Sequence, residues 1–263
     1  AHNDTLFFDI SWDDFNPDDK NKGKIEARFN PHEKTGGVLH VTSSDVIIND
    51  SLWNISPTCY IDFKKNNIKF NKFDIYSRSQ LLSIDGRFPK TSQDTIYLNF
   101  NKLNISNFDL LTAGYGVDVD GYINGDLQIS GISDKFTFFS NLDVMSLGLN
   151  NHLIGDGFID ASWNAPDTSI FIDTEIIRKD SLNKVLSLVG NYYTSRENEN
   201  LDFNINLNGV DISFVNSFTK KTLSRVGGKV NGDVLVTGSL KQMVLNGDAI
   251  VYDGSCNIDY RNT

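Results

Sequence analysis

The chain of 263 residues carries 34 acidic against 24 basic side chains, a net charge of −10, and 39% of it is hydrophobic. This length suits one large all-β domain or two smaller domains. The acidic balance argues against a nucleic-acid partner, because phosphate-backbone binding depends on clustered Lys and Arg. Eighteen Phe and nine Tyr make the chain too aromatic for a disordered protein. No apolar run approaches the roughly 20 residues that a membrane-spanning helix needs, and no signal peptide is visible.

Alternation of apolar and polar residues with a period of two is the main signal, and it predicts β-strands. In chain order the predicted strands cover residues 46–48, 53–55, 60–63, 68–75, 81–84, 96–100, 127–129, 136–144, 158–163, 169–176, 185–193, 201–207, 229–236, 244–251 and 256–260. Asn and Asp pairs, mostly with Gly, predict hairpin turns at 49–50, 66–67, 85–86, 124–125, 156–157, 208–209, 246–247 and 253–254, because they tolerate a positive φ. Two short helices are predicted over 106–114 and 213–225.

The chain repeats itself at a shift of 107 positions. Residues 103–106 match 210–213, residues 121–131 match 228–238, and ten of the 42 aligned pairs from 103–144 to 210–251 are identical. Such units tend to stack into a solenoid or a long sheet, and two compact β-sandwiches are the alternative. No Pro- or Ser-rich linker separates the units, which favours one continuous domain. Residues 1–37 would hold a leading strand and an acidic loop, 38–146 the first repeat unit, and 147–263 the second unit and the start of another.

Catalytic and metal-binding patterns are absent from the sequence, so we expect no enzyme, no cofactor and no metal site. The acidic run 13–19 lacks the Gly and the Glu of a calcium-binding loop, which favours a solvated loop. Cys59 and Cys256 are interpreted as two buried thiols, with a single disulfide as the alternative. The four histidines are far apart in sequence and lack zinc-site spacing: His2, His32, His40 and His152.

A sheet of this many strands cannot leave its apolar face in water. The face either closes on a second sheet, where every apolar residue is core, or lines a trough. A trough suits acyl chains, because each buried CH₂ contributes about 0.8 kcal/mol wherever the chain lies.

The repeat unit resembles that of the TamB/AsmA-like proteins of Gram-negative envelopes, in a form similar to members from Bacteroidota. The resemblance covers about residues 38–251 and rests on features in a shared order. These are Trp53-x-Ile55 after residues 46–48, a strand ending at Gly86, the strand 98–100, a short helix, and Gly121-x-x-x-Gly-Asp-Leu-x-Ile-x-Gly131, and most of them recur in the second unit.

The resemblance implies an all-β fold, a U-shaped β-groove or β-taco with an apolar interior and one or two short helices. It implies a periplasmic piece of a longer protein that is anchored in the inner membrane and meets a BamA/TamA-like outer-membrane barrel through another part. Phospholipid would be the ligand, moving between the two membranes. Two alternatives stay open: a scaffold for outer-membrane protein assembly by β-strand addition, and an unrelated surface β-solenoid, either an adhesin or a glycan binder.

The residues expected to line the groove follow the alternation within each strand, and an error of one residue would invert a strand. They are Ile61, Phe63, Ile68, Phe70, Leu82, Ile84, Ile96, Leu98, Phe100, Leu127, Ile129, Phe136, Phe138, Ile170, Ile172, Leu201, Phe203, Ile205, Leu207, Val234 and Val236.

Overall fold

The computed structural model describes residues 4–13, 21–32, 36–48, 51–65, 67–88, 94–108, 118–131, 137–178, 183–216, 223–239 and 242–258. Strands make up 82% of it and helical turns 3%, and all sixteen strands belong to one antiparallel sheet, which confirms the all-β prediction. The strands are β1 Leu6–Asp13, β2 Lys22–Pro31, β3 Gly37–Ile48, β4 Ser51–Ile55, β5 Tyr60–Lys64, β6 Asn67–Ser77, β7 Gln80–Arg87, β8 Thr95–Asn104, β9 Val119–Ser130, β10 Thr137–Leu149, β11 His152–Asn164, β12 Ser169–Ile177, β13 Lys184–Tyr193, β14 Leu201–Asp211, β15 Leu223–Ser239 and β16 Gln242–Ile258.

The chain divides into two compact units. Unit 1 comprises Ala1–Leu103 and Asn124–Phe138, and unit 2 comprises Asn104–Ile123 and Phe139–Thr263. The predicted boundaries at 37/38 and 146/147 follow the sequence repeat and do not coincide with this division.

In unit 1 the strands follow one another as antiparallel neighbours, except that β4 and β5 each lie between β3 and β6. The pairing sets Ile84 opposite Leu98 and Leu82 opposite Phe100. Because side chains alternate along a strand, directly opposed residues share a face of the sheet. The registers therefore collect the apolar residues of unit 1 on one face.

In unit 2 the sheet curls over its apolar face, as predicted. Leu147 of β10 packs against a buried cluster formed by Ile176, Val185, Val210 and Val230 of β12–β15. Ser213, two residues after β14, has its Oγ 2.9 Å from Nδ1 of His152, the first residue of β11. In a flat sheet β11 and β14 would lie about 14 Å apart, because neighbouring strands are spaced by about 4.8 Å. The contact therefore requires the sheet of unit 2 to bend.

The repeat is visible as the same bulge in both units. Lys102 and Gly209, which are 107 positions apart, have φ angles of 49° and 69°. The Lys102 N–H donates to Asn124 Oδ1 at 2.8 Å, and the Gly209 N–H donates to Asn231 Oδ1 at 2.6 Å. Each Asn thus holds the backbone of the neighbouring strand in a bulge, which increases local bending.

Six predicted hairpin turns are wrong. The Asx-Gly pairs at 85–86, 124–125, 156–157, 208–209, 246–247 and 253–254 all lie inside strands. Two more bulges use an Asp: Asp85 accepts from the Lys72 N–H and Asp156 from the Ser146 N–H. Predicted turns 49–50 and 66–67 include residues outside the described part of the chain.

The two predicted helices are 3₁₀ turns where the structure describes them. The first 3₁₀ turn is Ile105–Phe108 and the second is Ile212–Val215, again 107 positions apart. Residues 223–225, predicted as helix, belong to β15, because pairing with β16 satisfies their backbone. Residues 109–117 and 217–222 lie outside the described residues.

The remaining strand predictions agree with the structure in position but not in extent. Every predicted strand falls within an observed one, apart from the portions of 136–144 and 256–260 that are not described. The segment 256–258 continues β16 instead of forming a separate strand. Strand β2 was not among the predicted strands, although Ile25, Ala27 and Phe29 alternate in it.

Candidate functional site

The predicted lining residues of unit 2 share one face, here called the apolar face of unit 2. Phe203 lies opposite Val236 and Ile205 opposite Val234, and Ile172 lies opposite Gly190 in the next strand. Pairing extends this face to residues that the sequence analysis did not select. The face comprises Leu142, Val144, Ile159, Ala161, Trp163, Ile170, Ile172, Ile176, Leu186, Leu188, Tyr192, Leu201, Phe203, Ile205, Leu207, Val234 and Val236.

The predicted residues of unit 1 also share a face, the apolar face of unit 1. Ring contacts occur along it, with the Phe29 and Phe63 centroids 6.4 Å apart and those of Phe70 and Phe73 6.1 Å apart. Strand pairing places most of its members on this face. Leu127 and Ile129 are assigned to it because they alternate with the exposed Asp126 and Gln128. The face comprises Ile25, Ala27, Phe29, Leu39, Val41, Ile61, Phe63, Ile68, Phe70, Phe73, Ile75, Leu82, Ile84, Ile96, Leu98, Phe100, Leu127 and Ile129.

Most of these side chains are only partly buried. Ile96, Leu201, Phe203 and Val236 are buried, and the other sixteen described lining candidates, Phe138 included, keep some exposure. Phe136 lies outside the described residues. Within the described residues the sheet of each unit is one layer thick.

The opposite face of the sheet carries a ladder of polar side chains. The Asn99 amide donates to Asp126 at 2.7 Å, and the equivalent Asn206 amide donates to Asp233 at 2.8 Å. All four residues are exposed. Asp126 and Asp233, which are 107 positions apart, thus each accept a hydrogen bond across the strands and do not lie in turns.

Two small clusters hold the apolar face of unit 2 together. The first, already described, joins β12–β15 to Leu147 and Ile154. The second consists of Leu201, Phe203 and Val236, with partly buried neighbours on adjacent strands. The face is thus packed at these two places and more accessible elsewhere, which suits contact with a long apolar ligand.

The last strand of the sheet is exposed along its whole length. Every residue of β16 is exposed, including Met243 at 60%, Leu245 at 69% and Ile250 at 61%. In the described part of the chain β16 pairs only with β15. Its other edge therefore carries backbone groups that can pair with a further strand.

A cavity of about 470 Å³, lined by charged and apolar side chains, lies toward the strand ends of unit 2, and sequence reasoning missed it. Arg178 donates to the Gly209 carbonyl at 3.0 Å. The pKa of Asp211 is lowered, mainly because the Ser213 hydroxyl and N–H donate to its carboxylate, at 2.6 Å and 2.8 Å. Only the curl brings together these residues from distant parts of the sequence.

The one serine–histidine contact at this end does not form a catalytic triad. Ser213 Oγ lies 2.9 Å from His152 Nδ1, but the carboxylate of Asp211 binds the serine hydroxyl instead of orienting the imidazole. Within the residues that the structure describes, no group of three His, Cys, Asp or Glu side chains could hold a metal ion.

Both cysteines are free, and their surroundings differ. Cys59 is buried, and burial raises the pKa of its thiol. Cys256 is exposed on β16, so the prediction of a buried thiol is wrong there. The strand lies at the end of the sheet, where no neighbour covers it within the described residues.

Among the described residues, no helix has the length and apolar character needed to cross a membrane. Comparison with protein-family models, curated proteins and solved structures finds no match to this chain.

Proposed function

We propose that this chain is a periplasmic segment of a TamB/AsmA-like envelope protein that conducts phospholipid acyl chains along its apolar faces. The observation that carries the proposal is the broad apolar face in each unit, built from a single sheet layer and left partly exposed. Exposed apolar areas of this kind mark binding surfaces.

The energetics of these faces suit transport better than tight storage. Neighbouring strands lie about 4.8 Å apart, so an acyl chain that moves across the strands of a unit meets a new row of aliphatic side chains at each strand. Each CH₂ that leaves water gains about 0.8 kcal/mol, and the gain is similar at each step along the aliphatic rows. An acyl chain whose binding free energy is similar at successive positions can slide along the face without being held in one deep energy minimum.

The wider setting belongs to the same proposal and rests on the sequence resemblance. The parent protein would be anchored in the inner membrane and would reach a BamA/TamA-like barrel at the outer membrane through another part. The role needs no catalytic residue and no cofactor, because moving an intact lipid breaks no covalent bond.

Charges placed on an apolar face test the proposal. Leu98→Asp and Ile129→Asp suit this better than Phe203→Asp, because Leu98 and Ile129 are partly exposed whereas Phe203 is buried in a cluster. The matched controls are Tyr97→Asp and Gln128→Asp, one residue away on the opposite, exposed face.

The readouts are lipid co-purification by mass spectrometry and lipid transfer by the full-length protein, with circular dichroism to check the fold. The apolar-face variants should lose lipid and transfer, and the controls should keep both. Equal lipid recovery and transfer in all four variants would contradict the proposal.

A second candidate, a scaffold that pairs with strands of other proteins, is favoured by the exposed strand β16. Of two adjacent residues in an antiparallel strand, one donates its N–H to the paired neighbour and the other points outward. Of the variants Asp248→Pro and Ala249→Pro, one therefore removes an N–H that pairs with β15 and the other removes an N–H that points outward. If the chain is a scaffold, the variant that removes the outward N–H should lose partner binding, while Leu98→Asp should leave partner binding unchanged.

A further inference from the structure

The cavity of unit 2 has the size of a small-ligand site. Its volume of about 470 Å³ lies within the roughly 300–1,000 Å³ of such sites. Its walls come from β10, β11, β14, β15 and the residue after β12, and the curl of the sheet brings them together. The residues that line it include Ser146, Leu153, Ile154, Asp156, Arg178, Asp211 and Lys229.

Two cations face this cavity in a chain whose net charge is −10. Arg178 is positioned by its bond to the Gly209 carbonyl. Lys229 lies directly opposite Asp211 in the pairing of β14 with β15. Guanidinium and ammonium groups together are the usual donors to phosphate oxygens.

The two carboxylates of the cavity are engaged by the protein itself. Asp156 accepts the Ser146 N–H at 2.6 Å, and Asp211 accepts both the N–H and the hydroxyl of Ser213. Charge-assisted bonds of this kind satisfy an ionised carboxylate. The two carboxylates and the two cations of the lining sum to no net charge, so an entering anion meets no net repulsion, and both carboxylates already accept hydrogen bonds from the protein.

The lining also includes apolar side chains. Leu153 is 70% exposed, and Ile154 lines the cavity while packing against the buried cluster of Ile176, Val185, Val210 and Val230. A lining that combines cations with apolar side chains fits an amphiphile better than a bare ion, because both parts of the ligand then meet a matching surface.

We propose that this cavity binds the phosphate of a phospholipid head group between Arg178 and Lys229, with the glycerol and first methylenes against Leu153 and Ile154. The assignment rests on the proposed function and adds a binding site for the lipid head group at the strand ends of unit 2. It predicts a preference for lipids that carry a phosphate over neutral lipids of equal chain length.

The test measures binding of monomeric dihexanoyl phosphatidic acid to the whole chain by calorimetry, with dihexanoylglycerol and inorganic phosphate as comparison probes. The test variant is Arg178→Gln/Lys229→Gln, with unfolding midpoints recorded to check that it folds. The control is Lys184→Gln, which removes a cation from the same unit outside the cavity, where Lys184 pairs with Glu175.

Phosphatidic acid should bind the wild-type chain and the control alike, and bind the double variant at least about tenfold more weakly, the factor that corresponds to about 1.4 kcal/mol. If the double variant folds and binds as well as the wild type, or if nothing binds to the cavity, the assignment is refuted. Inorganic phosphate that binds as tightly as the lipid would also refute it, since a free-anion site would then suffice.

The proposed function would survive any of these refutations, because the charged variants of the apolar face test it separately.

Discussion

Truncation of Ile176 tests whether the curl of unit 2 depends on its buried cluster. Ile176 is 1% exposed and is the largest fully buried side chain. Ile176→Ala removes three carbons, a transfer loss of about 2.4 kcal/mol, and the unfilled space raises the expected cost to about 3–4 kcal/mol. The neighbouring Ile177 points to the other side and is 37% exposed. Ile177→Ala removes the same atoms and should cost only about 1.5 kcal/mol.

Urea unfolding followed by ¹⁹F NMR of 5-fluorotryptophan provides the measurement. Trp163 is the only tryptophan of unit 2, so its resonance reports that unit separately from Trp12 and Trp53. The reasoning predicts a loss at least twice as large for Ile176→Ala as for Ile177→Ala. Equal losses, or a larger loss for Ile177→Ala, would mean that the faces are assigned the wrong way round.

Three further predictions concern single polar groups. Asn231→Ala removes the acceptor of the Gly209 N–H, so exchange of that amide should accelerate by about 5- to 150-fold, the equivalent of 1–3 kcal/mol. Iodoacetamide should label the exposed Cys256 in the native chain and spare the buried Cys59 until urea is added. Because hydrogen bonds lower the pKa of Asp211, its stabilising contribution is present above 3.8, the ordinary value, and lost as pH falls through the lowered pKa. Urea midpoints between pH 3 and 7 should therefore fall at the acid end for the wild type and less for Asp211→Asn.

Much of the fold was predictable because strand alternation is a local property. In residues 201–207 apolar and polar positions alternate, and the structure places them on opposite faces of β14. The repeat was equally evident from the sequence. In the structure it corresponds to two 3₁₀ turns and two Asn–Asp hydrogen bonds at equivalent positions of the repeat. Physical chemistry that acts between neighbours in sequence can be recovered from sequence.

The Asx-Gly pairs show where local reasoning failed. Asn124-Gly125 has the composition of a hairpin turn, yet it lies within β9 and its side chain holds a bulge in β8. Both interpretations use the same tolerance of positive φ. Only the partner strand decides between them, because the N–H that the Asn side chain accepts lies 22 positions away.

The sequence by itself determined the all-β class, the alternating faces and the 107-residue repeat, since each depends on residue spacing along the chain. The tertiary structure alone decided the curl of unit 2, which brings His152 to Ser213 and Arg178 and Lys229 to one cavity. Curvature accumulates from small bends at successive bulges. Sequence spacing shows the bulges' residues but not the direction in which their bends add up.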